Sequence, residues 1–244
     1  MPVQAAASRS GLSIAKHIPR WFHSYVARVL GLNVRLVGDA PSGSGVLFVA
    51  NHVSWLDIIT LSSVMPVSFI AKSEVSGWPL FGTLARLQGT IFVDRQRRHA
   101  TATVAEMIGG RLAAGDTMVL FAEGTTSDGN RVLPFRSSLV GAVRTMAEEG
   151  RPAVPVQPLA IAYTHKNGLP ITRREMPDIA WYADMELLPH LKALVGGGPI
   201  DAVVCLGTPM DLEHAADRKR VSAAAELWVR QVRRNGHAEA GAHP

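Results

Sequence analysis

A single cysteine, Cys205, in 244 residues excludes an internal disulfide and any cysteine-based zinc cage, and it suits a reducing compartment. No stretch approaches the roughly 18 consecutive apolar residues of a membrane-spanning helix. The longest apolar runs, Val46–Ala50 and Ala153–Tyr163, are short or broken by proline and read as buried strands. Met1–Ser13 lacks the apolar centre of a secretory signal, so the cytoplasm is the expected compartment. There is no G-x-S-x-G, no G-x-G-x-x-G after a strand, no Walker loop and no H-E-x-x-H. Classical serine-hydrolase, dinucleotide-binding and zinc-protease readings therefore lose their main support.

Charge is scarce as well, at 18% of residues against 47% apolar, with a mean hydropathy of +0.13. That balance describes a folded, slightly greasy chain of one substantial domain. The net charge is +5, and 20 arginines stand against 5 lysines, a bias towards bidentate contacts with phosphate or carboxylate. Most of the surplus is local: residues 1–40 hold Arg9, Lys16, Arg20, Arg28 and Arg35 against Asp39, a balance of +4. Helical periodicity over Ile18–Leu32 places Ile18, Trp21, Phe22, Tyr25, Val26, Val29 and Leu32 on one face, with Lys16, Arg20 and Arg28 opposite. Such a helix suits an anionic bilayer surface, or packs on its own domain with solvated arginines.

Beyond residue 34, strand-like and helix-like runs alternate. Val46–Ala50, Ser68–Ala71, Thr90–Val93, Thr117–Phe121, Val154–Tyr163 and Ala202–Leu206 read as short strands of a sheet covered on both faces. Val104, Met107, Ile108 and Leu112 mark one helix, with Thr103 and Glu106 as its capping box; Val140, Val143 and Met146–Ala147 mark another. Val221, Ala224, Ala225, Trp228 and Val232 mark a closing helix, and a tail is expected over 236–244. The fold class is α/β: a single domain with a central, mostly parallel mixed sheet flanked by helices.

Three polar segments leave strands at their carboxyl ends, where α/β proteins place ligands. In the first, Asn51-His52-Val53-Ser54-Trp55-Leu56-Asp57, a turn into a helix can bring His52 and Asp57 together. Asp57 then holds one tautomer of the imidazole while the other ring nitrogen takes a proton from a hydroxyl; a helix-capping histidine beside a surface aspartate is the plainer alternative. The second, Gly89 through Arg95 with Arg97 and Arg98 behind it, sets cations ahead of a helix start, where they oppose the dipole unless an anion is bound; a solvated basic turn is the plainer alternative. The third, Phe121 through Gly129, is a loop rich in Gly, Thr and Ser whose amides and hydroxyls can approach a ligand closely. Glu123 at its start either accepts hydrogen bonds from an acceptor hydroxyl or caps the loop.

These segments, with Val154-Pro155-Val156-Gln157-Pro158, resemble the four ordered blocks of the 1-acylglycerol-3-phosphate acyltransferase (PlsC-like) family, over residues 46–163. The resemblance implies a glycerolipid acyltransferase-like domain over 34–235 and an N-terminal membrane-associating segment over 1–33. It implies transfer of an acyl group from acyl carrier protein or coenzyme A, used as a co-substrate, to a lysolipid hydroxyl, with no further cofactor or metal. His52 would be the general base and Asp57 its orienting partner, with Asn51, Arg95, Glu123, Gly124, Thr125 and Thr126 binding substrate. The third block departs from the usual pattern, carrying Ala122 where proline is usual and Thr126 where the family has an arginine that helps bind the acceptor's phosphate. Leu133–Leu139 and Trp181–His190 resemble the branch that acylates lyso-ornithine lipid, whose zwitterionic headgroup lacks phosphate. The expected location is the cytoplasmic face of the inner membrane, held peripherally at an anionic surface.

Other readings remain open at this point. They are an acyltransferase making phosphatidic acid, a hydrolase using His52 and Asp57 on water, and a non-catalytic basic protein that binds membrane or nucleic acid. No recognisable nucleic-acid module is present, so nucleic acid is not an expected partner. As covalent nucleophiles, Ser54 stands only two residues from His52, a spacing that points side chains apart on a helix, and Cys205 has no local activating residue.

Overall fold

The computed structural model describes residues 13–39, 45–93, 100–137, 155–210 and 218–239, with a few positions before residue 13. Its strands are β1 (Leu32–Val37), β2 (Val46–Ala50), β3 (Ser68–Lys72), β4 (Ile91–Val93), β5 (Thr117–Phe121), β6 (Val156–Lys166), β7 (Leu169–Pro170) and β8 (Ile200–Leu206). Among the described residues the helices are α1 (Ile18–Val29), α2 (Leu56–Val64), α3 (Phe81–Leu87), α4 (Ala100–Ala113), α5 (Met176–Ile179), α6 (Leu187–Gly196) and α7 (Arg218–Glu239).

The strands form one sheet in the order β1-β8-β6-β2-β5-β3-β4, with β7 turning back on β6. β2 pairs in parallel with β5 and β6, and β3 with β4 and β5, whereas β8 runs antiparallel to β6. β2 is buried along its whole length and divides its side chains by the period of two. Phe48 and Ala50 join the core that includes Ala27 of α1, Leu56, Ile59 and Leu61 of α2, and Leu194 of α6. Leu47 and Val49 join the opposite core with Ile108 and Leu112 of α4 and Ala225 and Val229 of α7. Full burial of a side chain the size of Leu47 or Phe48 contributes about 1.5–3 kcal/mol, so both faces of this strand anchor the sheet.

The expected strands at Val46–Ala50 and Thr117–Phe121 match β2 and β5 residue for residue. The other four expected strands shift by one to three residues at an end, as β3 (Ser68–Lys72), β4 (Ile91–Val93), β6 (Val156–Lys166) and β8 (Ile200–Leu206), and several helix limits differ as well. The first helix ends at Val29, not Leu32, because Gly31 takes a left-handed φ of +67° and Leu32 enters β1. β1 itself has no counterpart among the expected strands. α4 begins at Ala100, which makes Thr103 an interior helical residue and not the cap of a box with Glu106. At the other end, α7 continues to Glu239, into the stretch expected to be tail from residue 236. The helix expected around Val140–Ala147 lies outside the described residues.

The topology sets the carboxyl ends of β2 and β5 side by side, joined by the Ala122 amide donating to the Ala50 carbonyl at 3.0 Å. β6 continues seven residues past Leu159, the partner of Ala50, and stands above that edge as a wall.

Candidate active site

The chain leaves β2 at Ala50 and re-enters helix at Leu56, and the short turn between is organised by Asp57 from the first turn of α2. Asp57 is fully buried. Its Oδ2 accepts from the backbone amides of Val53 (2.7 Å) and Ser54 (3.0 Å) and from His52 Nδ1 (2.8 Å), and its Oδ1 accepts from the Tyr163 hydroxyl (2.7 Å). Four donors converge on one carboxylate, which has no proton to return. Nδ1 of His52 therefore carries the hydrogen, and Nε2 keeps its lone pair. The His52 side chain retains 21% of its exposure while Asp57 has none, so the open member of the pair is the one that can meet a substrate. The plainer alternative, a capping histidine beside a surface aspartate, does not survive this geometry.

Phe121, the last residue of β5, fixes the plane of the ring: the two centroids lie 3.9 Å apart with planes 12° from parallel, and Phe69 stacks behind Phe121 at 5.8 Å. The backbone of His52 is held in turn by Glu123. One carboxylate oxygen accepts the His52 amide at 2.9 Å and the other the Leu133 amide at 2.9 Å. Burial pushes the Glu123 carboxyl up to about 7; the two amides and the Arg233 charge oppose that rise, and Asp57 adds to it.

Other expected site residues have different placements. Asn51 is fully buried and spends both ends of its amide on the Ile161 backbone, donating to the carbonyl (3.1 Å) and accepting from the amide (2.8 Å). It extends the β2–β6 pairing by one side chain, a bracing role in place of the expected contact with substrate. Glu123 is likewise spent on two backbone amides and shapes the site from beneath, as the loop cap that was the alternative reading. Gly124 is buried at φ +70°, Thr126 is half-buried, and Thr125 is exposed at the mouth of the loop. Arg95, with Arg97 and Arg98, lies outside the described residues. The rival nucleophiles are placed away from the reaction: Ser54 is fully buried, and Cys205 packs into the core on the opposite face of the sheet from Val53 and Phe121.

Tyr163 and Arg233 escaped the sequence reading as members of the site, and Phe121 was read as the start of the third segment without its stacking on His52. Tyr163 looked like one apolar residue in a buried strand, and no local spacing ties it to a carboxylate 106 positions away. Arg233 looked like one of several cations on the closing helix, yet it is 7% exposed and donates to the Gly129 carbonyl at 2.6 Å.

The two later segments that resemble the lyso-ornithine lipid branch both close on the site. In the first, the Leu133 amide reaches Glu123 and the Arg136 amide reaches the Ala122 carbonyl at 2.8 Å. In the second, the Trp181 amide donates to the Val53 carbonyl at 3.0 Å, and His190 Nδ1 accepts from the Trp55 indole at 2.9 Å.

A buried carboxylate, an orienting hydrogen bond and an exposed imidazole nitrogen at the carboxyl edge of a parallel sheet define a site for removing a proton from a hydroxyl. The Acyltransferase family model matches residues 31–162, a span that contains both members of the pair. This chain belongs to the Acyltransferase family and is an acyltransferase. It is 49% identical to the lyso-ornithine lipid O-acyltransferase of Brucella abortus (strain 2308) over 218 residues, 89% of this chain and 82% of that protein. It is 42% identical to the lyso-ornithine lipid O-acyltransferase of Rhizobium meliloti (strain 1021), over 95% of this chain and 80% of that protein. The 1-acyl-sn-glycerol-3-phosphate acyltransferase of Neisseria meningitidis serogroup B (strain MC58) is more distant, at 35% over 85% of this chain and 77% of that protein. The fold is shared with the crystal structure of PlsC from Thermotoga maritima, at a TM-score of 0.65 and 21% identity, covering 94% of this chain and 81% of that one.

Proposed function

We propose that this acyltransferase moves a fatty acyl group from a thioester on acyl carrier protein or coenzyme A to the hydroxyl of lyso-ornithine lipid at the cytoplasmic face of the inner membrane. The observation that carries the mechanism is the four-donor clamp on Asp57, which presents His52 Nε2 as a base. The acceptor oxygen attacks the thioester carbonyl as Nε2 takes its proton, and the thiol leaves with a proton returned from the imidazolium. A thioester is already activated, so no acyl-enzyme is needed. A positioned base of this kind contributes about 10²–10⁴-fold in rate.

Two features support the choice of acceptor. The two relatives of highest identity described above are named for lyso-ornithine lipid, and Thr126 stands where a phosphate-binding arginine is usual in the wider family. The site also needs access to lipid. α1 packs on α2 through the face bearing Ala27 and Ser24, the latter donating to the Ser63 carbonyl at 2.8 Å. Part of its apolar stripe is left outward: Trp21 is 58%, Tyr25 66% and Val29 62% exposed, whereas Val26 packs on the core, and Arg28 is exposed on the same helix. Phe22 of that stripe and Leu80, which is exposed just before α3, line one apolar cavity of about 340 Å³. An exposed apolar face on a helix that also carries exposed Arg20 and Arg28 suits the interface of an anionic bilayer. No helix among the described residues is long and apolar enough to cross a membrane.

The test is an assay with labelled acyl carrier protein and acyl-coenzyme A against a panel of lysolipids. Diacylated ornithine lipid as the preferred product supports the reading. Preference for lysophosphatidic acid would move the assignment to phosphatidic acid synthesis, and release of free fatty acid would replace transfer by hydrolysis.

A further inference from the structure

Beyond the His52 site, the structure holds a second concavity with an unusual wall. A cavity of about 600 Å³ is lined by Arg131 after the Gly129 turn, Arg173 after β7, and Arg230, Arg233 and Arg234 of α7, with no carboxylate on its described wall. Two of these guanidiniums carry a buried Nε without a partner among the described residues. Arg233, 7% exposed, spends one Nη on the Gly129 carbonyl, and Arg230 pairs an Nη with Glu226 at 2.8 Å. Both Nε atoms are themselves buried, so the cations that an anion in the cavity meets first are the exposed guanidiniums of Arg131, Arg173 and Arg234.

The cavity adjoins the catalytic turn. Gly129, at φ +76°, lies so close to that turn that a Cβ there would come within 3.0 Å of Val53 Cγ1 and 2.7 Å of Met176 Cγ. Val53 is the residue next to His52. The far wall includes Thr164, on the part of β6 that rises past the carboxyl edge of β2. The anion site and the base therefore open on the same edge of the sheet.

We propose that this cavity is the subsite for the phosphate of the donor's phosphopantetheine arm, the group shared by acyl carrier protein and coenzyme A. The proposal rests on the thioester-donor reading above. The competing source of an anion is the acceptor's carboxylate. A zwitterionic headgroup also brings an ammonium, which five guanidiniums repel and no carboxylate on the wall receives. The arm's phosphodiester, with one negative charge shared by two oxygens and no ammonium in its headgroup, matches the wall without that conflict.

Arg131 and Arg173 are exposed, so their replacement spares the core, unlike that of Arg233. The experiment measures binding of coenzyme A, of acyl carrier protein bearing its arm, and of phosphate-free pantetheine by titration calorimetry. It compares wild type with the Arg131→Ala/Arg173→Ala double variant. The double variant is expected to lose affinity for at least one phosphate-bearing carrier by roughly tenfold or more, with pantetheine unchanged. In steady-state assays the donor KM rises and the lysolipid KM does not. Unchanged carrier affinity, or a rise confined to the lysolipid KM, would overturn the proposal. Binding readouts need no turnover: loss of carrier affinity in a protein that transfers no acyl group would uphold the phosphate subsite while removing the transferase reading.

Discussion

The Tyr163 hydroxyl donates to Asp57 Oδ1 at 2.7 Å from inside a strand that contributes nothing else to the acid–base pair. Tyr163 has no exposed surface, and Thr60, whose own hydroxyl donates to the Leu56 carbonyl, lies 3.3 Å from the same oxygen. Burial and the Asp57 charge both push the Tyr163 hydroxyl well above the ordinary tyrosine range, so it stays a donor at any working pH. Tyr163→Phe removes one of four donors and leaves Oδ1 facing a buried void. The expected outcome is a loss of about 1–3 kcal/mol in denaturant-unfolding stability. With it goes a fall in kcat, with little change in either KM, since Tyr163 acts on His52 only through Asp57.

Glu123 gives a pH dependence whose sign follows from its raised carboxyl. Its folded value of about 7 lies above the ordinary 4.5, so the folded protein holds this proton more tightly than the unfolded chain. The associated stability is fully present below pH 4.5 and is lost as pH rises through 7, a change of roughly 3 kcal/mol at about 1.4 kcal/mol per unit. Glu123→Gln cannot ionise. Thermal melts of the variant are expected to lack the decline in stability that the wild type shows between pH 4.5 and 7; a parallel decline in both would contradict the assignment.

The proposed membrane contact places the exposed Trp21 and Tyr25 of α1 at the bilayer. Trp21→Ser/Tyr25→Ser is expected to weaken flotation with anionic vesicles by about tenfold or more, while activity towards detergent-dispersed lysolipid is preserved. Loss of the detergent activity as well would place these side chains in the fold instead of at the bilayer.

Thr126 bears on acceptor choice. Thr126→Arg restores the cation usual in the third block, and a shift in preference towards lysophosphatidic acid is expected in competition assays. An unchanged product ratio would remove the argument from that position.

The sequence was most informative where chemistry and periodicity coincide. β2 and β5 are continuous apolar runs whose polar exits are also the His52 and Phe121 segments, so strand and site were legible together. Periodicity alone carried less. Leu32 kept the helical rhythm of residues 18–29 and hid both the break at Gly31 and the strand β1, which exists because β8 is there to pair with it. The outward direction of Trp21 and Tyr25 was equally unreadable, since an apolar stripe looks the same whether it faces a core or a bilayer. Asn51 looked like a ligand-binding amide beside His52, but its partner is a backbone segment 110 positions away. Tyr163 and Arg233 enter the site only through sheet order and the packing of α7, which local spacing does not encode, and the stacking of Phe121 on His52 follows from the pairing of β2 with β5.

The central claim is that His52, held by Asp57, is the base for acyl transfer to a lysolipid hydroxyl. The most direct measurement is the rate of diacylated product formation by wild type and His52→Ala at equal concentration, with acyl thioester and lyso-ornithine lipid, alongside circular dichroism to confirm the fold. A folded variant whose turnover falls by about 10²–10⁴-fold is expected. Near-normal turnover by folded His52→Ala would contradict it.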